Sequence, residues 1–316
     1  MKKILTILLL GFTMLFVSCT NQSKSALNIY MPDGAPALAM ANVLDEGFSH
    51  EDYEANFNIV NANMITNIVS SSSCDLPIIP TTAAAQLYSK GVGIRHASVN
   101  VFGNLYIAGT TTLDSLEGLK GKVVYTTIGT TISLVKYILA QNSIEVEDGS
   151  EPVADKVVLD SRSDGTEIVQ LLKKASTEGK EAYGVLGEPV VSKALGMISN
   201  LKLTFDLQKE YKEVTGFDGY PQACLVVKDK VYQEHTGFVE AFLDKLASNE
   251  NFLKGNVNRL PEIFKKYDST LQNMTFTLDT ITRSNVKFQK ASLAMESVKN
   301  YVAALVKVEL DEEFFL

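Results

Sequence analysis

Val123-Val124-Tyr125, then Thr126-Thr127-Ile128-Gly129-Thr130-Thr131, then residues 132–141 read as one strand, one polar loop and one helix. The opening residues are β-branched or aromatic, which suits a pleated, half-buried surface. The loop turns at Gly129, and beyond it the apolar residues take up helical spacing. A unit of this kind feeds the carboxyl end of a strand into the start of a helix, and parallel sheets are assembled from it.

Working outward, the same alternation recurs on both sides. Upstream, strands are expected over 28–31, 56–61 and 76–79, with helices over 35–44, 64–70 and 81–88 and two further apolar runs within 94–108. Downstream, strands are expected over 157–160, 182–186 and 201–205, with helices over 166–174 and 190–195. Residues 223–227 form one more strand, and everything from Gly237 onward reads as helix, notably 238–247, 260–266 and 293–306. The fold class is α/β, with two lobes in an interrupted order. Residues 27–110 and 220–316 make lobe 1, residues 111–219 make lobe 2, and the C-terminal helices pack on lobe 1. The crossings between lobes would build a hinge. Ligands of open α/β sheets sit at the carboxyl ends of the strands.

Lys2 and Lys3, an apolar run over 4–17 and then Ser18-Cys19 have the layout of an export signal, too short to span a bilayer. Phe16-Val17-Ser18-Cys19 resembles a bacterial lipobox, with Phe16 where Leu is usual. Residues 1–18 are thus expected to be a lipoprotein signal peptide, Cys19 the lipidated residue, and 19–26 a flexible tether. The expected location is extracytoplasmic, on a lipid anchor. The formal net charge of −8 argues against nucleic acid and against electrostatic docking on anionic lipid. With 46% hydrophobic and 21% charged residues, the chain can bury ordinary globular cores. Cys74 and Cys224 read as buried free thiols in preference to a disulfide.

Several strand-to-helix loops present small or hydroxyl residues just before a helix, where backbone N–H groups point outward. They are Asp33-Gly34-Ala35, Pro80-Thr81-Thr82, the 126–131 loop and Gly187-Glu188-Pro189. Each could equally be a simple N-cap, but four such loops divided between two lobes would converge on one cleft. Catalytic patterns are poor: no Gly-x-Ser-x-Gly occurs, and His50, His96 and His235 lack metal-ligand spacing. No metal or cofactor is expected. Asp33 and Glu188 fit three roles: local caps, an acid–base pair across a cleft, or partners for a cationic nitrogen on a ligand.

The chain resembles the extracytoplasmic solute-binding proteins of ABC importers, in the type II periplasmic-binding-protein fold, near the nitrate, sulfonate, taurine and thiamine-precursor receptors. The residues that carry this are the 31–39 segment, Asp75-Leu76-Pro77-Ile78-Ile79-Pro80, Leu116-Glu117-Gly118-Leu119-Lys120-Gly121-Lys122 and the acidic-then-aromatic tail 310–315. The resemblance implies a monomeric receptor that closes on one small solute and hands it to a permease and ATPase. It places ligand contacts at Asp33, Gly34, Ala35, Asn63, Thr81, Thr82, Thr127, Thr130 and Glu188, with Tyr220 closing over the ligand from the hinge side. Threonine rather than a basic residue in the second-lobe loops points away from a sulfonate, and Arg162 is the one basic candidate near the cleft. A neutral or nitrogen-bearing solute, such as a thiamine-precursor-like pyrimidine, is expected. An enzyme of the same fold and a lipoprotein sensor or adhesin are the alternatives.

Overall fold

The computed structural model describes residues 24–71 and 73–316. The expected signal peptide and the expected lipidation site, Cys19, lie outside these residues. The expected tether, residues 19–26, overlaps the first strand by two residues. Ser25 already begins the first strand, donating its N–H to the Asp52 carbonyl at 2.8 Å and pairing with Tyr53.

Thirteen strands are described, in chain order β1 (Ser25–Pro32), β2 (Ser49–His50), β3 (Tyr53–Val60), β4 (Leu76–Pro80), β5 (Ile94–Val101), β6 (Leu105–Gly109), β7 (Val123–Thr127), β8 (Val146–Asp148), β9 (Val157–Arg162), β10 (Tyr183–Gly187), β11 (Lys202–Asp206), β12 (Ala223–Lys228) and β13 (Val286–Lys290). They form two sheets, ordered β13-β5-β12-β4-β1-β3-β2 and β11-β6-β10-β7-β9-β8. The first sheet takes the two ends of the described chain and the second takes its middle. This is the interrupted two-lobe order expected.

Strand β1 runs parallel to β3 and β4, and β7 runs parallel to β9 and β10, as helical crossovers require. The strands next to the lobe crossings, β6 and β12, run antiparallel to their neighbours instead. The lobe boundary also differs from the expected position at 110. Leu105–Gly109 belongs to the second sheet, where it pairs with β10 from Leu105↔Gly187 to Gly109↔Tyr183. The crossing therefore falls at 102–104, not after the second apolar run. Gly103 makes it possible: its φ is +88°, and a Cβ there would lie 2.6 Å from the Tyr220 ring. Any other residue would be strained and would collide with a buried aromatic. The return crossing follows helix Leu207–Thr215, which ends at Gly216 in the left-handed conformation, and reaches β12.

One strand interrupts the C-terminal region expected to be all helix. Val286-Lys287-Phe288-Gln289-Lys290 alternates apolar and polar residues and adds to β5 as the edge of the first sheet.

Each lobe has its own apolar core, and a third cluster joins them. Helix Ala291–Val306 packs on helix Thr81–Ser89 of lobe 1 and also on helix Thr130–Gln141 of lobe 2. Leu134, Val135 and Ile138 of the latter share this cluster with Tyr301 and Val302, all fully buried. Each such side chain contributes about 1.5–3 kcal/mol on burial. The C-terminal helix thus straddles both lobes rather than resting on lobe 1 alone.

Candidate functional site

A cavity of about 270 Å³ lies between the lobes. Lobe 1 contributes Asp33, Gly34, Ala35 and Pro36 from the carboxyl end of β1, and Gln222 and Ala223 from the start of β12. Lobe 2 contributes Thr127 and Thr131 after β7, Gly165 after β9, and Gly187 to Val190 after β10. Val101, Asn104 and Leu105 form the wall at the first crossing. The ends of β1, β7, β9 and β10 thus meet at one place, where a doubly wound sheet holds its ligand.

Two helices begin at this cavity without a side-chain cap. Helix Thr130–Gln141 starts at Gly129 and helix Val190–Met197 at Pro189, and neither N-cap residue has a side-chain cap, although in the second helix Glu188 Oε2 accepts from Ser192 N at 3.3 Å. The other first-turn N–H groups are available to a polar ligand. Helix Gly165–Thr177 differs, because Asp164 accepts from Thr166 N and Glu167 N at 2.8 and 3.0 Å.

Five of the expected contacts, Asp33, Gly34, Ala35, Thr127 and Glu188, line this cavity. Its two carboxylates are nevertheless engaged by the protein. Asp33 Oδ1 accepts from Gly34 N at 3.0 Å and from Ser269 Oγ at 2.5 Å, and Oδ2 accepts from Thr270 N at 2.7 Å. Glu188 Oε1 accepts from Arg283 Nε at 2.5 Å and from Ser192 Oγ at 2.8 Å. Arg283 Nη2 and Thr280 Oγ1 both reach Ser192 Oγ, at 2.7 and 3.2 Å. Arg283 and Thr280 belong to helix Leu278–Ser284 of lobe 1, so this cluster fastens lobe 1 to lobe 2. Burial raises the Glu188 carboxyl above its ordinary range, and the Arg283 and Ser192 contacts oppose that rise. Asp33 and Glu188 make the local bonds expected of caps, to Gly34 N and Ser192, and also bonds to the distant Ser269, Thr270 and Arg283.

The other expected contacts lie elsewhere. Thr82 and Thr130 do not line the cavity; their hydroxyls bond to each other across the lobes at 2.8 Å. Replacing Thr82 with alanine is expected to cost about 0.5–1.5 kcal/mol in denaturant unfolding, the worth of one such bond. Thr81 is buried, and its hydroxyl has no partner. Asn63 is exposed on a short helical turn, its N–H donated to Asn61 Oδ1. Tyr220 is no lid: it is fully buried, stacked on Tyr301 at 5.8 Å and edge-on to Tyr211 at 5.4 Å. Its hydroxyl donates to Gln208 Oε1 at 2.8 Å, which secures the crossing instead of a ligand. Arg162 is paired with Asp160 and Glu167 and lies over the Tyr125 ring, so its charge is committed.

Asn104, Gln222 and Arg283 are the residues that sequence reasoning missed. Phe102-Gly103-Asn104 offers a turn signal, but the two apolar runs within 94–108 both read as part of the first lobe's sheet. Arg283 lies 95 residues from Glu188, and no local pattern links them. Among the described residues, no three His, Cys, Asp or Glu side chains converge in a metal-binding group.

No protein-family model and no curated protein sequence matches the chain. Solved structures do. An ABC transporter protein from Parabacteroides distasonis superposes with a TM-score of 0.74 at 20% identity, over 93% of this chain and 99% of that one. The periplasmic aliphatic sulphonate-binding protein SsuA of Escherichia coli gives 0.65 at 12% identity, over 93% and 92%. The ligand-binding component of an ABC-type import system from Staphylococcus aureus, solved with zinc bound, gives 0.64 at 12% identity, over 93% and 96%. The chain therefore has the two-lobed α/β fold found in solute-binding components of ABC import systems.

Proposed function

We propose that this protein is an extracytoplasmic receptor, tethered through lipid on Cys19, that holds one small solute between its lobes and passes it to an ABC permease and ATPase. The observation that carries this reading is the cavity itself. It is built from the strand ends of both lobes, so a bound solute touches both and favours their approach by its differential affinity for the closed arrangement. Asp33 and Glu188 are hydrogen-bonded to the protein's own groups, an arrangement that does not favour their use as an acid–base pair. Binding without chemistry fits this arrangement, and a tether would keep the receptor near its permease at high effective concentration.

The test is calorimetric titration and thermal melting of the full chain against vitamins, precursors, amino acids and sulfonates, with the solute recovered and weighed afterwards by mass spectrometry. A receptor gains about 2.7 kcal/mol of stability at a hundredfold excess over Kd and returns the solute unchanged. Recovery of a product would establish an enzyme instead. Thr127→Ala is expected to weaken binding about tenfold, the loss of one hydrogen bond in a closed site, while the melting point without solute stays within a degree.

A further inference from the structure

We infer that the solute is a non-anionic molecule that sets an N–H or O–H donor against Asn104 Oδ1, an inference that rests on the receptor reading above. The electrostatics of the cavity come first. Among the described residues, its lining contains no lysine, arginine or histidine, and the charged residues in it are Asp33 and Glu188. Each of those carboxylates is already bonded to protein donors. An anionic solute would lose its hydration on entering, find no counter-charge and face Asp33, whose donors are all neutral and leave its negative charge in place. An uncharged solute meets no such cost, and the 270 Å³ volume selects a compact one.

Asn104 supplies the specificity. It is only 4% exposed, and three of its four polar groups are engaged. Its N–H donates to Gln222 Oε1 at 3.0 Å, its C=O accepts from Glu188 N at 3.0 Å, and Nδ2 donates to the Glu188 carbonyl at 3.0 Å. The last bond fixes the amide orientation, since a carbonyl can only accept and must face the NH₂ group. Oδ1 is left buried without a partner in a residue that lines the cavity. Such an orphaned acceptor needs an explanation, and a ligand donor provides one. Gly187 borders this oxygen, and a Cβ there would lie 3.3 Å from it. Glycine adds no further cover to an oxygen that is already buried, so a donor reaches it as the lobes part.

Gln222 complements it. Its Oε1 is held by the Asn104 N–H, so its NH₂ group is the end left to donate. An acceptor and a donor on two residues that both line the cavity suit a solute that carries N–H and C=O together, such as an amide, a lactam or a pyrimidinone.

The experiment is equilibrium dialysis of the full chain against uracil, 2-pyrrolidone and nicotinamide, their N-methylated counterparts, ethanesulfonate and tetramethylammonium, with retention read by mass spectrometry. The expected result is retention of a donor-bearing neutral compound, with its methylated counterpart bound about 10- to 100-fold more weakly. Methylation removes the hydrogen bond from the ligand side, so this comparison leaves the protein unaltered. Asn104→Ala should lose the same factor and no longer distinguish the two compounds. Preferred retention of a methylated, sulfonate or quaternary compound overturns the inference and leaves the receptor reading standing. Retention of none of these, and of nothing from a rich growth-medium extract, overturns the receptor reading itself.

Discussion

Replacing Arg283 with methionine is expected to lower the unfolding free energy by about 3–5 kcal/mol, the cost of stripping the partner from a buried charge. The Glu188 side chain is 0% exposed and Arg283 is 27% exposed, so the carboxylate carries most of the uncompensated desolvation. Ser192 alone would remain to solvate it. Two companions make the reading specific. Arg283→Met combined with Glu188→Leu should recover most of the loss, because an apolar replacement of both partners leaves no orphaned charge. Acid should also shrink the defect of the single variant. The folded-state pKa of Glu188 is raised by burial, so the group's contribution is fully present below the unfolded carboxylate value and lost as pH rises through the folded one. Removing Arg283 extends that rise, and the single variant should come closest to the parent near pH 4. Because the pair joins the lobes, the variant can relieve part of the strain by opening, which small-angle scattering would show as a larger radius of gyration. A loss below about 1 kcal/mol with an unchanged radius would mean that water reaches Glu188 in the closed protein.

That pair also marks the limit of what could be read ahead of the structure. The strand–loop–helix unit around 123–141 was legible because its hydrophobic period changes at Gly129, and period is a local property. The two-lobe order followed from counting such units. The boundary at 102–104 was misplaced because apolar residues continue on both sides of Gly103, and hydrophobicity does not record which sheet a strand joins. Five of the residues expected at the ligand, Asp33, Gly34, Ala35, Thr127 and Glu188, border the cavity because they lie at or just beyond strand ends, which position along the chain determines. What could not be read was direction and pairing. Tyr220 precedes β12 as expected, yet its ring turns into the buried Tyr211 and Tyr301. Asp33 finds its partners at Ser269 and Thr270, more than two hundred residues away. Such contacts are set by tertiary packing.

The second large effect is expected in acid, and it comes from a histidine far from the cleft. His96 lies on β5, is fully buried, and has no partner for either ring nitrogen. The C-terminal tail covers it. Phe314 and Phe315 lie with ring centroids 5.7 and 5.4 Å from the imidazole, and Leu316 N donates to the His96 carbonyl at 3.0 Å. Asp311 holds the tail in place by accepting from Tyr88 Oη at 2.7 Å. Burial among these apolar rings lowers the imidazole pKa from 6.5 to about 3. The unfolded chain therefore takes up a proton below pH 6.5 that the folded chain refuses, so this contribution to stability is intact above 6.5 and is lost progressively as pH falls toward 3. At about 1.4 kcal/mol per pH unit, the loss reaches about 3 kcal/mol two units below the unfolded value and about 5 kcal/mol at its limit. His96→Leu should abolish the part of the decline between pH 6.5 and 4.5, where few carboxylates titrate, and should add about 1–3 kcal/mol at neutral pH by removing two orphaned nitrogens from an apolar site. Urea unfolding of both proteins at half-unit pH intervals checks this. The curves should diverge steadily below pH 6.5, and parallel curves would mean that the tail lifts away and lets His96 protonate in the native state.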